Sequence, residues 1–274
     1  CVHYYRKFID EYPYSFPSWY NLGNVYQKLE LLEDSIDAYD YCLAIQDDFT
    51  PAMFNKAHAL VKMERYHLAI KAYQETLDFE PPQAATFCYI GECYERMDKL
   101  DQAEKFYKLS IEEDAHFSDA YVGLGVVADL RGETEKGMPF LERALELESE
   151  NVEFHLLFGA ALKKLNRHKE ADESYLQALA LEKDNPEVWI EYADNAYKQG
   201  DAHLALLRTE EAVQTIPKDY ELTGIRASYL HACGLKEEAY VEFEALVFED
   251  IEKCQSLLSD FPFLKDDLVV VQIF

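Results

Sequence analysis

Histidine and cysteine are the side chains in this sequence best suited to bind a metal ion or to act as a nucleophile. None of the eight histidines stands four residues from another, so no helix presents the paired ligands of an HExxH motif. The six cysteines form no CxxC pair, and Cys88 and Cys93 have no histidine near them in sequence to act as a base. The spacing therefore predicts no metal site and no cysteine nucleophile.

Motifs that cradle phosphates or hold a nucleophilic serine are absent as well. The sequence contains no GxGxxG, GxxxxGK[ST] or GxSxG stretch. Asp and Glu number 53, and in so acidic a chain neighbouring carboxylates are expected on solvated faces rather than as a general acid and base. We therefore expect no catalytic residue and no cofactor, and interpret the chain as a non-enzyme.

The net charge limits the partners. A formal charge of −27 at pH 7 repels phosphate backbones and anionic lipid surfaces, so neither nucleic acid nor a membrane surface is expected as a partner. No apolar run has the roughly 18 residues that a membrane span needs, and no signal peptide is present. The cysteines fit no disulfide framework and are expected to be buried free thiols. A cytoplasmic location follows, with export left open because the first residues match the middle of a structural unit.

A 34-residue period organises the chain into helices. The hydrophobic content of 49% supplies a core, and ten Gly and nine Pro are too few for a many-stranded β protein. The first complete unit begins at Phe16, and no insertion or deletion interrupts the series. Later units begin at Thr50, Ala84, Ser118, Val152, Pro186 and Tyr220.

Side-chain size and turn residues recur within each unit. The eighth position is always Gly or Ala, whereas the twenty-fourth is mostly large and holds Tyr39, Tyr73, Tyr107, Leu141, Tyr175, Thr209 and Phe243. Small slots let two helices cross closely, and large side chains fill the space beside them. The fifteenth position is Gly, Asn or Asp in five units, which suits a left-handed helix end, but Glu30 and Glu64 predict a different turn in the first two. Thr50–Pro51 and Asn185–Pro186 each predict an N-cap followed by proline.

The first and third units carry the pattern most fully. Their residues are Trp19, Leu22, Gly23, Tyr26, Ser35, Tyr39 and Cys42, and Phe87, Ile90, Gly91, Tyr94, Ala103, Tyr107 and Ser110. This set resembles the tetratricopeptide repeat, and the resemblance covers about residues 1–253. It implies an all-α, right-handed α-α superhelix, a solenoid of helix–turn–helix repeats. Thr223, Arg226 and Leu246 depart from the pattern in the last unit.

Three segments are expected. Residues 1–15 match the second helix of a truncated repeat, residues 16–253 hold seven tandem repeats, and residues 254–274 form a C-terminal capping segment. Terminal units of a solenoid are atypical because one of their faces has no neighbour. The final run LVVVQIF has strand propensity, so a strand is the alternative to a helical cap.

In this family the first helix of each repeat lines a concave groove, which positions 2, 5, 6, 9, 12 and 13 face. On that resemblance the candidates for partner binding are Tyr20, Asn21, Asn24, Phe54, Asn55, His58, Tyr89, Glu92, Val122, Val126, Leu156, Leu157, Glu191 and Asp194. Along the chain these side chains change from polar and aromatic, through apolar, to acidic. The alternative to partner binding is that they only pack against neighbouring repeats or face solvent. The expected partner is an extended or helical protein segment with apolar side chains and with Lys or Arg for the acidic end.

Two binding patterns of the family are incomplete here. The clamp for a C-terminal carboxylate needs cations where this chain has Tyr20, Ala85 and Tyr89, so no clamp is expected. An asparagine ladder at the sixth position holds for Asn21 and Asn55 and then ends. The sequence therefore predicts a non-catalytic scaffold or adaptor. A docking or regulatory region of a larger enzyme and a self-associating structural protein stay open as alternatives.

Overall fold

The computed structural model describes residues 1–247, 261–267 and 269–270, and all regular structure in these ranges is helical. The expectation of an all-α solenoid of helix–turn–helix repeats is confirmed. The helices are α1 (Val2–Glu11), α2 (Phe16–Lys28), α3 (Leu32–Ile45), α4 (Thr50–Lys62), α5 (Tyr66–Thr76), α6 (Ala84–Arg96), α7 (Leu100–Glu113), α8 (Ser118–Leu130), α9 (Thr134–Leu147), α10 (Val152–Lys164), α11 (His168–Leu181), α12 (Pro186–Lys198), α13 (Ala202–Thr215), α14 (Tyr220–Ala232), α15 (Lys236–Val247) and a 3-10 helix (Pro262–Asp266).

The helices alternate between two roles. The even-numbered helices from α2 to α14 begin at the seven residues where the sequence units begin, and we call them A helices. The odd-numbered helices from α3 to α15 follow them, and we call them B helices. The chain divides into two compact units, residues 1–140 and residues 141–274. Within each unit an A helix packs on its own B helix, and a B helix packs on the next A helix.

The turn from each A helix to its B helix has one geometry. The fifteenth residue of every repeat has a positive φ, from 56° at Asp98 to 87° at Gly200. The expectation of a different turn at Glu30 and Glu64 is wrong, because their φ values are 57° and 58°. In each turn the next N–H bonds back to the carbonyl five residues earlier, as from Leu31 at 3.0 Å, which is the outer bond of a Schellman motif. Repeat packing thus overrides a backbone preference of roughly 1–2 kcal/mol.

Only one of the two predicted proline-linked caps is formed. Asn185 caps α12, because its side chain accepts a hydrogen bond from Val188 N at 3.3 Å. The N-cap predicted at Thr50 is wrong, since Thr50 is the first residue of α4 and its side chain makes no cap. Its hydroxyl donates instead to the carboxylate of Glu80, which lies beyond the end of α5.

A tyrosine ring occupies the small slot in three repeats. Tyr39, Tyr107 and Tyr175 are at most 1% exposed. A Cβ built on Gly23 would lie 2.5 Å from Cε1 of Tyr39, and one on Gly159 would lie 2.6 Å from Cε1 of Tyr175. Carbon atoms that are not bonded to each other essentially never approach this closely. These glycines are required because the ring of the B helix lies directly against the backbone of the A helix.

The ring of Tyr107 also contacts a glycine of the next repeat. A Cβ on Gly123 would lie 2.4 Å from Cε1 and from Cζ of Tyr107. The hydroxyl of the same tyrosine donates to Glu95 Oε2 at 2.7 Å. The ring is therefore held between α6 and α8, and Gly123 is a packing residue.

The described part of the C-terminal segment packs on the last repeats. Phe261, Leu264 and Val270 are buried in one cluster with α12 to α15. Asp267 accepts a hydrogen bond from Lys236 Nζ at 2.6 Å. Most of the run LVVVQIF lies outside the described residues, so the choice between helix and strand there stays a prediction, as do the bounds of the three segments.

Substituting Gly123→Ala tests the ring contact. The added methyl group overpacks a fixed ring, so we expect the free energy of unfolding to fall by about 1–3 kcal/mol even though alanine favours helix. Chemical denaturation followed by circular dichroism measures the change. In a Tyr107→Leu background the same substitution should cost nothing. An equal loss in both backgrounds would show that the ring is not the cause.

Candidate partner-binding surface

The groove positions predicted from the sequence share one face of each A helix, and we call this surface the A-face. In residues 1–140 it comprises α2, α4, α6 and α8, and contacts join α2 to α4 and α6 to α8. In residues 141–274 it comprises α10, α12 and α14, each in contact with the next. The A-face of each unit is described by itself.

Hydrogen bonds connect three of the predicted polar residues. Asn55 Nδ2 donates to Asn24 Oδ1 at 2.8 Å and to Tyr20 OH at 3.2 Å. Both N–H groups of Asn55 are thus used within the protein, which leaves its carbonyl oxygen to accept from a partner. Asn21, the first member of the short predicted ladder, is exposed.

Buried tyrosines beneath the A-face hold some of its polar side chains. The hydroxyl of Tyr39 donates to Asn24 Oδ1 at 2.7 Å, and that of Tyr73 lies 3.2 Å from Nδ1 of His58. Sequence reasoning assigned the twenty-fourth position to packing alone. The signal it missed was the recurrence of Tyr rather than Phe there, in four of the seven repeats.

An aromatic cluster joins α4, α5 and α6. The ring of Tyr89 meets Phe54 at 5.5 Å and His58 at 4.8 Å, both edge to face, and stacks on Tyr73 at 5.7 Å. Such pairs add about 0.5–1.5 kcal/mol beyond their buried area. Burial lowers the pKa of His58, so its imidazole is neutral at pH 7. The rings thus form a fixed aromatic wall on the A-face.

Glu92 lies further along the A-face of the same unit, where part of its side chain reaches solvent while the neighbouring helices reduce the hydration of its carboxylate. Desolvation by the surrounding walls, together with repulsion from Asp119, raises the pKa of Glu92 to about 7. Desolvation also raises the pKa of Glu95. The charge of this part of the A-face therefore changes near neutral pH.

The predicted apolar stretch is divided between the two units. Val122 and Val126 are half-buried on α8, in residues 1–140. In residues 141–274, Leu156 is 9% exposed, whereas Leu157 is only half-buried. Leu157 therefore offers a partner more apolar surface than Leu156 does.

The predicted acidic end is balanced from within its own unit. Lys163 Nζ lies 2.7 Å from Glu191 Oε2 and 2.6 Å from Asp194 Oδ2. The hydroxyl of Tyr175 also donates to Glu191, at 3.3 Å. A cationic partner at this end would have to compete with Lys163 for both carboxylates.

The cysteines differ in exposure and in basicity. Cys42, Cys88 and Cys93 are buried as expected, but Cys1 is exposed. Burial raises the pKa of Cys42 to about 11 and that of Cys93 to about 12, because their thiolates would lose hydration. Cys254 lies outside the described residues.

In the described ranges, no group of three or more His, Cys, Asp and Glu side chains could hold a metal ion. None of the helices in the same ranges is both long enough and apolar enough to cross a membrane.

The raised pKa of Glu92 gives a pH prediction. In ¹³C NMR spectra we expect its carboxyl group to titrate with a midpoint of about 7, rather than at the ordinary 4.5. The folded chain then binds this proton more tightly than the unfolded chain. The contribution of Glu92 to the free energy of unfolding therefore falls as the pH rises from about 4.5 to about 7. Asp119→Asn should lower the midpoint, and an ordinary midpoint in the parent chain would contradict this account.

Comparison with known proteins extends these observations. A model described as tetratricopeptide repeat matches residues 16–49 and 152–185, and a second model with that description matches residues 54–116. The general transcriptional corepressor ssn6 of Schizosaccharomyces pombe is 26% identical over 133 residues, which cover 48% of this chain and 12% of that protein. The human protein O-mannosyl-transferase TMTC1 is 25% identical over 202 residues, covering 72% of this chain and 23% of the relative. The chain thus spans less than a quarter of either relative.

A solved structure shares the fold. The crystal structure of the APC/C hetero-tetramer Cut9–Hcn1 matches with a TM-score of 0.65 at 17% identity, covering 82% of this chain and 45% of that chain. Four observations agree with each other on the repeat type: the A helices recur every 34 residues, one turn geometry joins each A helix to its B helix, the eighth residue is always small, and the family models match three stretches of the chain. The chain is a tetratricopeptide repeat protein.

Proposed function

We propose that this chain is a protein-interaction scaffold whose A-face binds an extended or helical segment of another protein. The observation that carries the proposal is that contacts within the protein already hold polar side chains of the A-face. The hydroxyl of buried Tyr39 fixes Asn24, that of Tyr73 meets His58, and Lys163 fixes Glu191. A surface ordered before binding loses little side-chain entropy when a partner arrives.

The relatives support an interaction role. The ssn6 protein carries the name of a general transcriptional corepressor, and Cut9 forms a hetero-tetramer with Hcn1. In an array of repeats, each repeat adds one A helix to the surface that is available for binding other proteins. In this proposal the repeats themselves have no catalytic role.

The two units offer a partner different chemistry. In residues 1–140 the A-face presents an aromatic wall and the carbonyl oxygen of Asn55. In residues 141–274 it presents the half-buried side chain of Leu157 and carboxylates that are already paired. Apolar burial supplies affinity, and the polar groups set the orientation of the bound segment.

The similarity to TMTC1 favours a second candidate function. The similarity extends over 72% of this chain, and TMTC1 carries the name of a transferase. On this alternative the repeats are a docking region of a larger enzyme and hold its protein substrate on the same A-face. The full-length reading frame distinguishes the two candidates, since only the second requires a catalytic domain in the same polypeptide.

Leu157→Glu tests binding on the A-face. A charge at this apolar position should weaken capture of the partner at least about tenfold and leave helicity unchanged, because the side chain is already half-exposed. Affinity capture with the full-length protein, followed by titration of the captured protein, measures the loss. Leu176→Glu is the matched control, since Leu176 is 48% exposed on the B helix α11. Parent-like binding by a folded Leu157→Glu variant would show that the partner does not bind this part of the A-face, and equal weakening by Leu176→Glu would show that the loss is not specific to the A-face.

A further inference from the structure

The end of α5 departs from the other repeats. This helix stops at Thr76 after 11 residues, whereas α3, α7 and α11 each have 14. Pro81 and Pro82 follow, and proline has no N–H with which to continue a helix. Residues 77–83 are therefore a loop where other repeats have another helical turn.

A cavity of about 280 Å³ lies between this loop and the first turns of α4 and α6. It belongs wholly to the compact unit of residues 1–140. Its lining residues are Thr50, Pro51, Phe54, Asn55, Thr76, Glu80, Pro81, Gln83 and Thr86. The lining contains one carboxylate and no cationic side chain.

Two side chains of the lining, Glu80 and Asn55, present acceptor atoms to the cavity. The hydroxyl of Thr50 donates to Glu80, which holds that carboxylate against the cavity. Asn55 uses both of its N–H groups toward α2, so its carbonyl oxygen is what it offers. The hydroxyl of Thr76 donates to Tyr73 O at 2.7 Å, within its own helix. A ligand that donates several hydrogen bonds and carries positive charge complements this arrangement.

The apolar part of the lining consists of ring side chains. The ring of Phe54 and the rings of Pro51 and Pro81 contribute to it. A guanidinium group is planar, stacks on aromatic faces, and carries five N–H donors in a rigid fork. An ammonium group carries its charge at one point and neither stacks nor donates in a fork, so arginine fits these walls better than lysine.

We propose that this cavity is an arginine site: it binds the guanidinium group of an arginine in the protein segment that lies on the A-face. Glu80 and the carbonyl oxygen of Asn55 accept its N–H groups, and Phe54 stacks on its plane. Phe54 and Asn55 belong both to the cavity and to the A-face, so a segment on that face passes the mouth of the cavity. The role of the bound segment rests on the proposed function, whereas the binding of guanidinium does not.

A cavity in residues 141–274 provides a matched comparison. It measures about 370 Å³, and Leu156 and Leu157 stand in its lining where Phe54 and Asn55 stand in the first. Three repeats separate Glu182 from Glu80, so the two carboxylates have the same register. This second cavity has no aromatic ring in its lining and has Leu157 rather than an asparagine at the register of Asn55, and Glu182 accepts from Asn185 at 2.8 Å.

The test is a titration of the ¹⁵N-labelled chain with N-acetyl-arginine amide, followed by NMR. We expect saturable shifts at residues 50–55 and 80–86. N-acetyl-citrulline amide has the same shape without the charge and should give no saturable shift there. Glu80→Gln should weaken binding about tenfold, because it removes the charged acceptor and keeps the size of the side chain. Glu182→Gln should leave the same shifts unchanged.

Three results would overturn the arginine site: equal shifts with citrulline, parent-like binding by Glu80→Gln, or arginine shifts that fall outside the two ranges. If Glu80→Gln proves to be unfolded by circular dichroism, Phe54→Leu removes only the stacking ring and must weaken the binding of N-acetyl-arginine amide. A chain that binds its partner in a Leu157-dependent manner but not the arginine amide would refute the arginine site alone. A chain that binds the amide but no protein on the A-face would refute the proposed function alone.

Discussion

The packing of each B helix on its A helix depends on a small residue in the A helix, and a bulky side chain of the B helix lies beside that slot in most repeats. In three repeats the bulky group is a tyrosine ring that lies on the backbone of a glycine. In these repeats the ring sits directly against the A helix and limits how closely the two helices approach, and one turn geometry joins the two helices in all seven repeats. That uniformity explains why Glu30 and Glu64 accept a left-handed backbone that glutamate does not favour by itself.

The same tyrosines connect the core to the candidate surface. A phenyl ring would fill the slot equally well, but only a phenol has a hydroxyl that must find a partner when it is buried. Those of Tyr39, Tyr107 and Tyr175 meet a polar side chain of an A helix at Asn24, Glu95 and Glu191 respectively. Stability and the arrangement of the A-face are therefore not independent, and residues that look purely structural also position surface groups.

The large negative charge of the chain does not act equally at every acidic residue. Lys163 balances the carboxylates of Glu191 and Asp194, so that region is closer to neutral than its sequence implies. Desolvation and repulsion from Asp119 raise the pKa of Glu92 to about 7. Local pairing and desolvation, rather than the net charge of −27, decide which partner chemistry each part of the chain attracts.

The sequence alone determined the repeat length, the start of every A helix and the small-to-large packing, because helix periodicity and side-chain size are local properties that seven in-phase copies repeat. It did not determine which polar groups meet. Thr50 was expected to cap its own helix and instead bonds to Glu80, and Lys163 reaches the next repeat. These partners lie 28 to 31 residues away, so tertiary packing selects them: Thr50 and Glu80 meet within one repeat, whereas Lys163 meets Glu191 and Asp194 of the next. The cavity beside Phe54 likewise depends on tertiary structure, because the loop after α5 and the first turns of α4 and α6 enclose it together.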